Sequence, residues 1–408
     1  MTSDSGRATD MAHRAYNFAS RETRAGASAG PRPYNFSAGP SILPLAVLEE
    51  VRDELVDYHG SGMSLIETSH RGEHYEQVHH DAMSLARDVF ALPDDFDVLL
   101  IQGGATLQFA MVPANMLGPG QRAAVARTGS WSKKALADAE RYGEVYLAWD
   151  GKPDGYARTP AADELELHDD TRYLHICSNE TIEGVRFVEF PDVAVPVVAD
   201  MSSDIATREL PWERFDLVYG GVQKNLGPAG LALVFVRRSM LDDMRDDLGA
   251  YLRYGVHAGA DSLYNTPPVF SVWVTGKVLR WIRDSGGLKA MTAAAERKAG
   301  TLYEVIDASD GFYRCPAEPA SRSLTNVVFR LPDAELEAQF LASASQAEFV
   351  GLKGHRSVGG CRASLYNALP QDGADALAMF MQDFQRRRHP GPSEAERSET
   401  ADFARRVR

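Results

Sequence analysis

"DLVYGGVQKNLGPAGLALVFV" (residues 216–236) decides the fold. Its two apolar runs, DLVYGG and LALVFV, have the length of strands. Being continuous rather than alternating, they read as strands buried on both faces. Between them glycines and a proline crowd around one lysine, Lys224. Burying an ammonium is costly unless something answers its charge. The plain reading is a solvated loop lysine, so the rest of the chain has to choose.

Further short apolar runs precede this stretch: DVLLIQ, AAVAR, EVYLAW, RYLHICSN and VPVVAD. Helix-like segments stand among them. LPLAVLEEVRDELVDYH puts Leu45, Leu48, Val51, Leu55 and Tyr58 at helical spacing, and HYEQVHHDAMSLARDVFAL does so with Tyr75, Val78, Ala82, Leu85 and Val89. The pattern predicts an α/β fold with a mainly parallel sheet covered by helices on both faces. Beyond VFSVWVTGKVLRWIRDSGG the texture changes. A long helix-like LKAMTAAAERKAGTLYEVIDAS, strand-like NVVFRL, helical AELEAQFLASASQAEF, strand-like CRASLYN and a last helix predict a smaller α+β domain, with the boundary near Gly287. Residues 1–33 lack apolar periodicity and read as a disordered extension, in which Asp4, Asp10 and Glu22 speak against a transit peptide. Residues 389–408 read as a charged C-terminal tail.

The chain has 408 residues, 44% hydrophobic and 25% charged, with a formal net charge of −14. This is a globular composition, and the negative field disfavours nucleic acid or an anionic membrane as partner. An anionic ligand therefore needs a local cluster of positive charge. The three cysteines, Cys177, Cys315 and Cys361, are far apart and form no C-x-x-C, so neither a disulfide framework nor a zinc site is predicted. No run reaches the ~20 apolar residues of a membrane span. The expected setting is the cytoplasm, with no metal.

Several strand ends carry unusual residues, and in open α/β sheets ligands gather at the carboxyl ends of strands. DVLLIQGGATLQF runs a strand into Gly-Gly and a helix, offering backbone N–H groups to an anion, although most such turns only redirect the chain. VPVVADMSSD ends a strand at Asp200, where an aspartate commonly caps a turn. An Asp after one strand and a Lys after a later one are also two parts of pyridoxal phosphate chemistry. The carboxylate keeps the pyridine nitrogen protonated, and the lysine holds the aldehyde as an imine.

The ordered motifs YNFSAGPSILP, SHRG, QGGATLQF, CSNETIEG, ADMSSD, VQKNLGPAGL, YNTPPVF and GLKGHRSVGGCRASLYNALP closely resemble the phosphoserine aminotransferases, from about Tyr34 to Arg388. The resemblance implies the pyridoxal phosphate-dependent fold type I of aspartate aminotransferase. That fold has a large domain over 45–287 with a mainly parallel seven-stranded sheet, and a small domain from 34–44 and 288–388. It implies that Lys224 carries the cofactor and moves protons, Asp200 pairs with the pyridine nitrogen, Trp131 stacks on the ring and Thr181 bonds the ring hydroxyl. Ala105 and Thr106 through backbone N–H, Ser202 and Gln223 match the phosphate cradle; Asn265 and Thr266 match ligands donated by the second subunit of a homodimer with shared sites. Arg362 matches the α-carboxylate site, and His70, Arg71, His355 and Arg356 the substrate phosphate site. Thr106 departs from the arginine that many members carry there. The implied reaction is transamination between glutamate and 3-phosphohydroxypyruvate in serine biosynthesis, with an analogous step of pyridoxine synthesis left open. A member acting on unphosphorylated acceptors has no use for His355 and Arg356. A non-catalytic regulator has no use for Lys224 and Asp200. Cys361 beside Arg362 invites a persulfide reading, against which stands an ordinary buried thiol.

Overall fold

The computed structural model describes residues 32–388, so the expected N-terminal extension, apart from Arg32 and Pro33, and the C-terminal tail lie outside the described residues. The strands are β1 (Tyr34–Asn35), β2 (Phe96–Gln102), β3 (Arg122–Arg127), β4 (Glu144–Asp150), β5 (Thr171–Cys177), β6 (Asn179–Glu180), β7 (Val185–Arg186), β8 (Val197–Asp200), β9 (Leu217–Gly221), β10 (Leu231–Arg237), β11 (Asn326–Phe329), β12 (Phe349–Val350) and β13 (Cys361–Ser364). The longer helices are α1 (Leu45–Glu54), α2 (Glu73–Val89), α3 (Gly104–Met116), α4 (Ser130–Ala139), α5 (Val269–Asp284), α6 (Gly287–Asp307), α7 (Ala334–Gln346) and α8 (Gln371–Arg388).

The seven apolar runs read from the sequence form one seven-stranded sheet in the order β2-β10-β9-β8-β5-β3-β4. Only β10 runs against the others, pairing antiparallel with β2 and β9. Why the runs are continuous is visible in the packing. Along β2, Val98 and Leu100 enter the core on one face, while Leu99 and Ile101 enter the core on the other. β10 does the same, with Leu233 and Phe235 on one side and Ala232, Val234 and Val236 on the other. Helices α2 and α5 cover the first face, α3 and α4 the second. Each fully buried side chain such as Phe235 stabilises this three-layer sandwich by ~1.5–3 kcal/mol.

A separate core joins Tyr34, Phe36 and Ile42 to α7, α8, the strands β11–β13 and α6 from Ala299 onward. Leu288 and Met291, in the first turns of α6, belong instead to the core of the large sheet. Helix α1 differs from its expected form. It ends at Glu54 rather than running to Tyr58, and it turns inward through Val47 and Val51, leaving Leu48 and Leu55 each 37% exposed. The cause is electrostatic as well as apolar. Glu50 and Glu54, on the same face as Val47 and Val51, accept from Lys277 Nζ on α5 at 2.6 and 2.7 Å, which fixes the helix rotation.

Candidate active site

The antiparallel register of β9 and β10, with Gly221 opposite Ala232, closes a loop over residues 222–230 at the sheet's carboxyl end. Val222 N–H bonds Leu231 at the loop's base, and Leu226 and Gly227 N–H both bond Val222 O. The loop is thereby a rigid turn that points Lys224 back over the sheet. Lys224 is buried, and its Nζ donates to Thr181 Oγ1 at 2.9 Å. Burial pushes its pKa down, against the pull of the Asp200 charge. Gly39 closes the space beside it. A Cβ there would stand 3.2 Å from Lys224 Cγ at a φ of +132°.

Asp200 ends β8, paired with Tyr219 of β9 and Cys177 of β5. Its Oδ1 accepts from Ser202 N at 2.9 Å and Ser202 Oγ at 2.6 Å. No described residue donates to Oδ2, which is left for a cation from the cavity. Burial pushes the Asp200 carboxyl up, opposed first by the Ser202 hydroxyl and then by Lys224. Ser202 Oγ also accepts from Gly221 N at 3.1 Å, so its only proton is held by Asp200.

Trp131 is set by the start of α4, which has no capping side chain of its own. Two carboxylates from the β6–β7 hairpin region supply that cap. Glu180 accepts from Trp131 N at 2.8 Å, Ser132 N at 2.9 Å and Ser132 Oγ at 2.6 Å. Glu183 accepts from Ser130 N at 3.0 Å and Ser130 Oγ at 2.6 Å. Helix starts leave N–H groups unpaired and favour anions, which explains the arrangement. It brings the Trp131 ring centroid within 5.4 Å of Lys224 Nζ. At the end of β2, Gly103 and Gly104 adopt φ of +107° and +66°, and a Cβ on Gly103 would meet Leu107 Cδ2 at 2.8 Å. The first N–H groups of α3, including those of Ala105 and Thr106, consequently face open space at the helix start.

Ala105, Thr106, Trp131, Asp200, Ser202, Gln223 and Lys224 line one cavity of about 290 Å³; Thr181, which Lys224 Nζ bonds, is not among its lining residues. Arg362, His355 and Arg356 do not line it; Arg362 on β13 donates through Nη1 to Thr181 O at 3.4 Å, while its buried Nε has no partner among the described residues. His355 is half-buried, its Nδ1 2.7 Å from Ser357 Oγ, and Arg356 is exposed. Burial and the charges of Arg362, Lys134 and Arg356 push His355 down. Asn265 donates to Gln102 Oε1 at 3.3 Å, and neither Asn265 nor Thr266 lines the cavity. His70 and Arg71, in the turn before α2, do not line it either. Sequence reading gave no role to Glu180 and Glu183, inside CSNETIEG, or to Gly39, inside YNFSAGPSILP. Cys361 is buried, and burial raises its thiol pKa far above the usual range, as befits an inert core thiol. Among the described residues no cluster of His, Cys, Asp or Glu could hold a metal, and no helix is long and apolar enough to cross a membrane.

The model of the class-V aminotransferases matches residues 33–377. The phosphoserine aminotransferase of Lysinibacillus sphaericus (strain C3-41) is 47% identical over 357 residues, covering 87% of this chain and 99% of that protein. The chain belongs to the phosphoserine aminotransferases of class V. Among solved structures, the phosphoserine aminotransferase from Bacillus circulans subsp. alkalophilus superposes with a TM-score of 0.86 at 47% identity, over 88% of this chain and 99% of that one. A pyridoxal phosphate-bound phosphoserine aminotransferase from Trichomonas vaginalis gives 0.83 at 37% identity, over 86% and 100%. The cofactor of this aminotransferase is accordingly pyridoxal phosphate. The cavity fits it: a phosphate has the glycine turn, a pyridinium has the free Asp200 oxygen, and an aldehyde has Lys224.

Proposed function

We propose that this aminotransferase moves the amino group of glutamate to 3-phosphohydroxypyruvate, giving O-phosphoserine and 2-oxoglutarate. The observation that carries this reading is the convergence of Lys224, Asp200, Trp131 and the start of α3 on one cavity. When bound, pyridoxal phosphate supplies an electron sink for negative charge at the substrate Cα. The chain supplies the rest. Backbone N–H groups at Gly104, Ala105 and Thr106 and the Gln223 side chain hold the cofactor phosphate, while Ser202 reaches it only by turning its hydroxyl away from Asp200. Asp200 Oδ2 holds the proton of the pyridine nitrogen, and Trp131 fixes the ring plane. Thr181 Oγ1, which accepts from Lys224 Nζ, also serves the ring hydroxyl. Lys224, its pKa lowered by burial, is the nucleophile toward the aldehyde and the base that takes the Cα proton. Arg362, with its unpaired Nε, grips the α-carboxylate as a planar fork.

His355 and Arg356 receive the substrate phosphate in this reading. His70, Arg71, Asn265 and Thr266, which lie off the cavity, are assigned to the neighbouring subunit's site in a homodimer. The exposed apolar residues Leu55, Val56, Met63, Ile66, Tyr264 and Phe270 support a covered face, as does the contact of turn 65–67 with α5. We divide the chain into a large domain over 45–287 and a small one from 34–44 and 288–388. The cytoplasm is the proposed compartment, in keeping with Cys177, Cys315 and Cys361 all being free thiols.

The testing experiment compares steady-state turnover of 3-phosphohydroxypyruvate with that of unphosphorylated hydroxypyruvate, glutamate being the donor. The phosphorylated acceptor is expected to have the higher kcat/KM. Replacement of Arg356 by Ala should weaken its apparent binding, raising KM about 10- to 100-fold, the equivalent of losing ~1.5–3 kcal/mol of a charge-assisted contact. Equal losses for both acceptors would assign Arg356 to the fold rather than to the phosphate.

A further inference from the structure

Lys134 stands one turn after Trp131 on α4, so both project from the same face of the helix. Its Nζ lies 4.1 Å from the Trp131 ring centroid, the same ring that Lys224 Nζ approaches to 5.4 Å. Lys134 is exposed, and it forms no ion pair or hydrogen bond with any described residue. This is unusual company for a cation in a chain of net charge −14. Its charge falls instead on His355, which it presses down together with Arg362 and Arg356. Lys134, Arg356 and Arg362 thus gather about His355; Glu183 faces Arg362, and no carboxylate among the described residues pairs with Lys134. Like charges collected in this way repel, and Glu183 and a substrate carboxylate both bear on Arg362, leaving Lys134 and Arg356 unanswered. Thr106, at the glycine turn, adds no charge.

We propose that Lys134 is a specificity-determining residue that binds the phosphate of the acceptor from the α4 side, opposite His355 and Arg356. The inference rests on the reaction proposed above and adds a residue to it. Trp131 holds the lysine's direction. The ammonium stands over the indole face, where a cation is attracted, and a mobile side chain becomes a placed charge. An ammonium is a point charge with three donors, suited to a phosphate whose orientation is already fixed by arginine.

The test uses the holoenzyme and two variants. Lys134→Met keeps an unbranched apolar stem and removes the charge; Lys134→Arg keeps both. With Lys134→Met the phosphorylated acceptor should show a KM raised about five- to tenfold, tenfold being ~1.4 kcal/mol. Its kcat should fall far less, and the KM for hydroxypyruvate should move little. Lys134→Arg should restore most of the loss, and inorganic phosphate should inhibit Lys134→Met more weakly than wild type. An equal rise for both acceptors would show that Lys134 only positions Trp131, and an unchanged KM for the phosphorylated acceptor would show that it does not reach the phosphate. Either result overturns the inference. If wild type itself fails to prefer the phosphorylated acceptor, the proposed reaction falls first, an outcome that needs no variant to detect.

Discussion

Lys224 and Asp200 are both buried, and burial acts on them in opposite senses: the amine is pushed down and the carboxyl up, while their mutual attraction restrains each. An amine whose pKa is lowered is more often the free base, which is what a nucleophile toward an aldehyde has to be. The cost of placing a lysine here is therefore part of its chemistry. Thr181 Oγ1 accepts from its Nζ, and the Trp131 ring centroid stands 5.4 Å away. Replacing Lys224 by Ala removes nucleophile and proton carrier together. Loss of one positioned acid–base group costs ~10²- to 10⁴-fold, and the lost covalent attachment adds to this. Turnover above a few per cent of wild type, about the smallest loss that range allows, would refute the assignment. Lys224 and Asp200 drew attention in the sequence because each follows or ends a strand-like run, where ligands gather, but only the resemblance of VQKNLGPAGL and ADMSSD to the family gave them roles. Lys134 drew none. Nothing in TGSWSKKA distinguishes a lysine facing the site from one facing solvent.

At the scale of elements, the sheet was legible and the positioning of α4 was not. A run such as LALVFV announces burial on both faces by itself, whereas α4 begins at a glycine and takes its cap from Glu180 and Glu183, some fifty residues further along. The rotation of α1 escaped notice for a related reason, being set by the partner Lys277 on α5 rather than by its own leucines. The glutamates have a measurable signature. Burial, then the charge of Glu183, raises Glu180 to about 8 from an ordinary 4.5, although Ser132 and Trp131 pull it the other way; burial raises Glu183 as well. A carboxyl raised on folding binds more protons folded than unfolded between those values. Its stabilising contribution is complete below the unfolded pKa and is lost as pH rises toward and through the folded one. Cofactor-free protein should therefore lose thermal stability between about pH 5 and pH 8 through this pair. Glu183→Gln removes one raised carboxyl and the like charge beside the other, so its Tm should fall less over that window. Parallel profiles for wild type and variant would deny the pair this role.

Eight of the residues matched to the site do not line the cavity: Thr181 and Arg362 are joined to Lys224 through hydrogen bonds, and Arg362 and Arg356 bear on His355, which leaves His70, Arg71, Asn265 and Thr266 to be explained for the whole molecule. His70 and Arg71 precede α2, Asn265 and Thr266 precede α5, and turn 65–67 packs against α5, so both segments border one region of surface. Among charged and polar side chains near them stand exposed apolar ones, Val56 80% and Met63 and Ile66 each 49% exposed. In the proposed homodimer, a twofold contact that covers this face would carry both segments to the neighbour's cavity. Two impaired variants test the arrangement, Lys224→Ala and the double replacement of Asn265 and Thr266 by Ala. If the second pair acts across the interface, a mixed dimer has one site lacking both features and one site lacking neither. Random reassociation of equal amounts makes half the dimers mixed, so activity should recover to roughly a quarter of wild type. With Asn265 and Thr266 acting within their own subunit, every site in the mixture keeps one defect and nothing returns. Mass measurement of subunit exchange separates failure to mix from failure to complement. Exchange without recovery would refute the shared site while leaving the chemistry of Lys224 untouched.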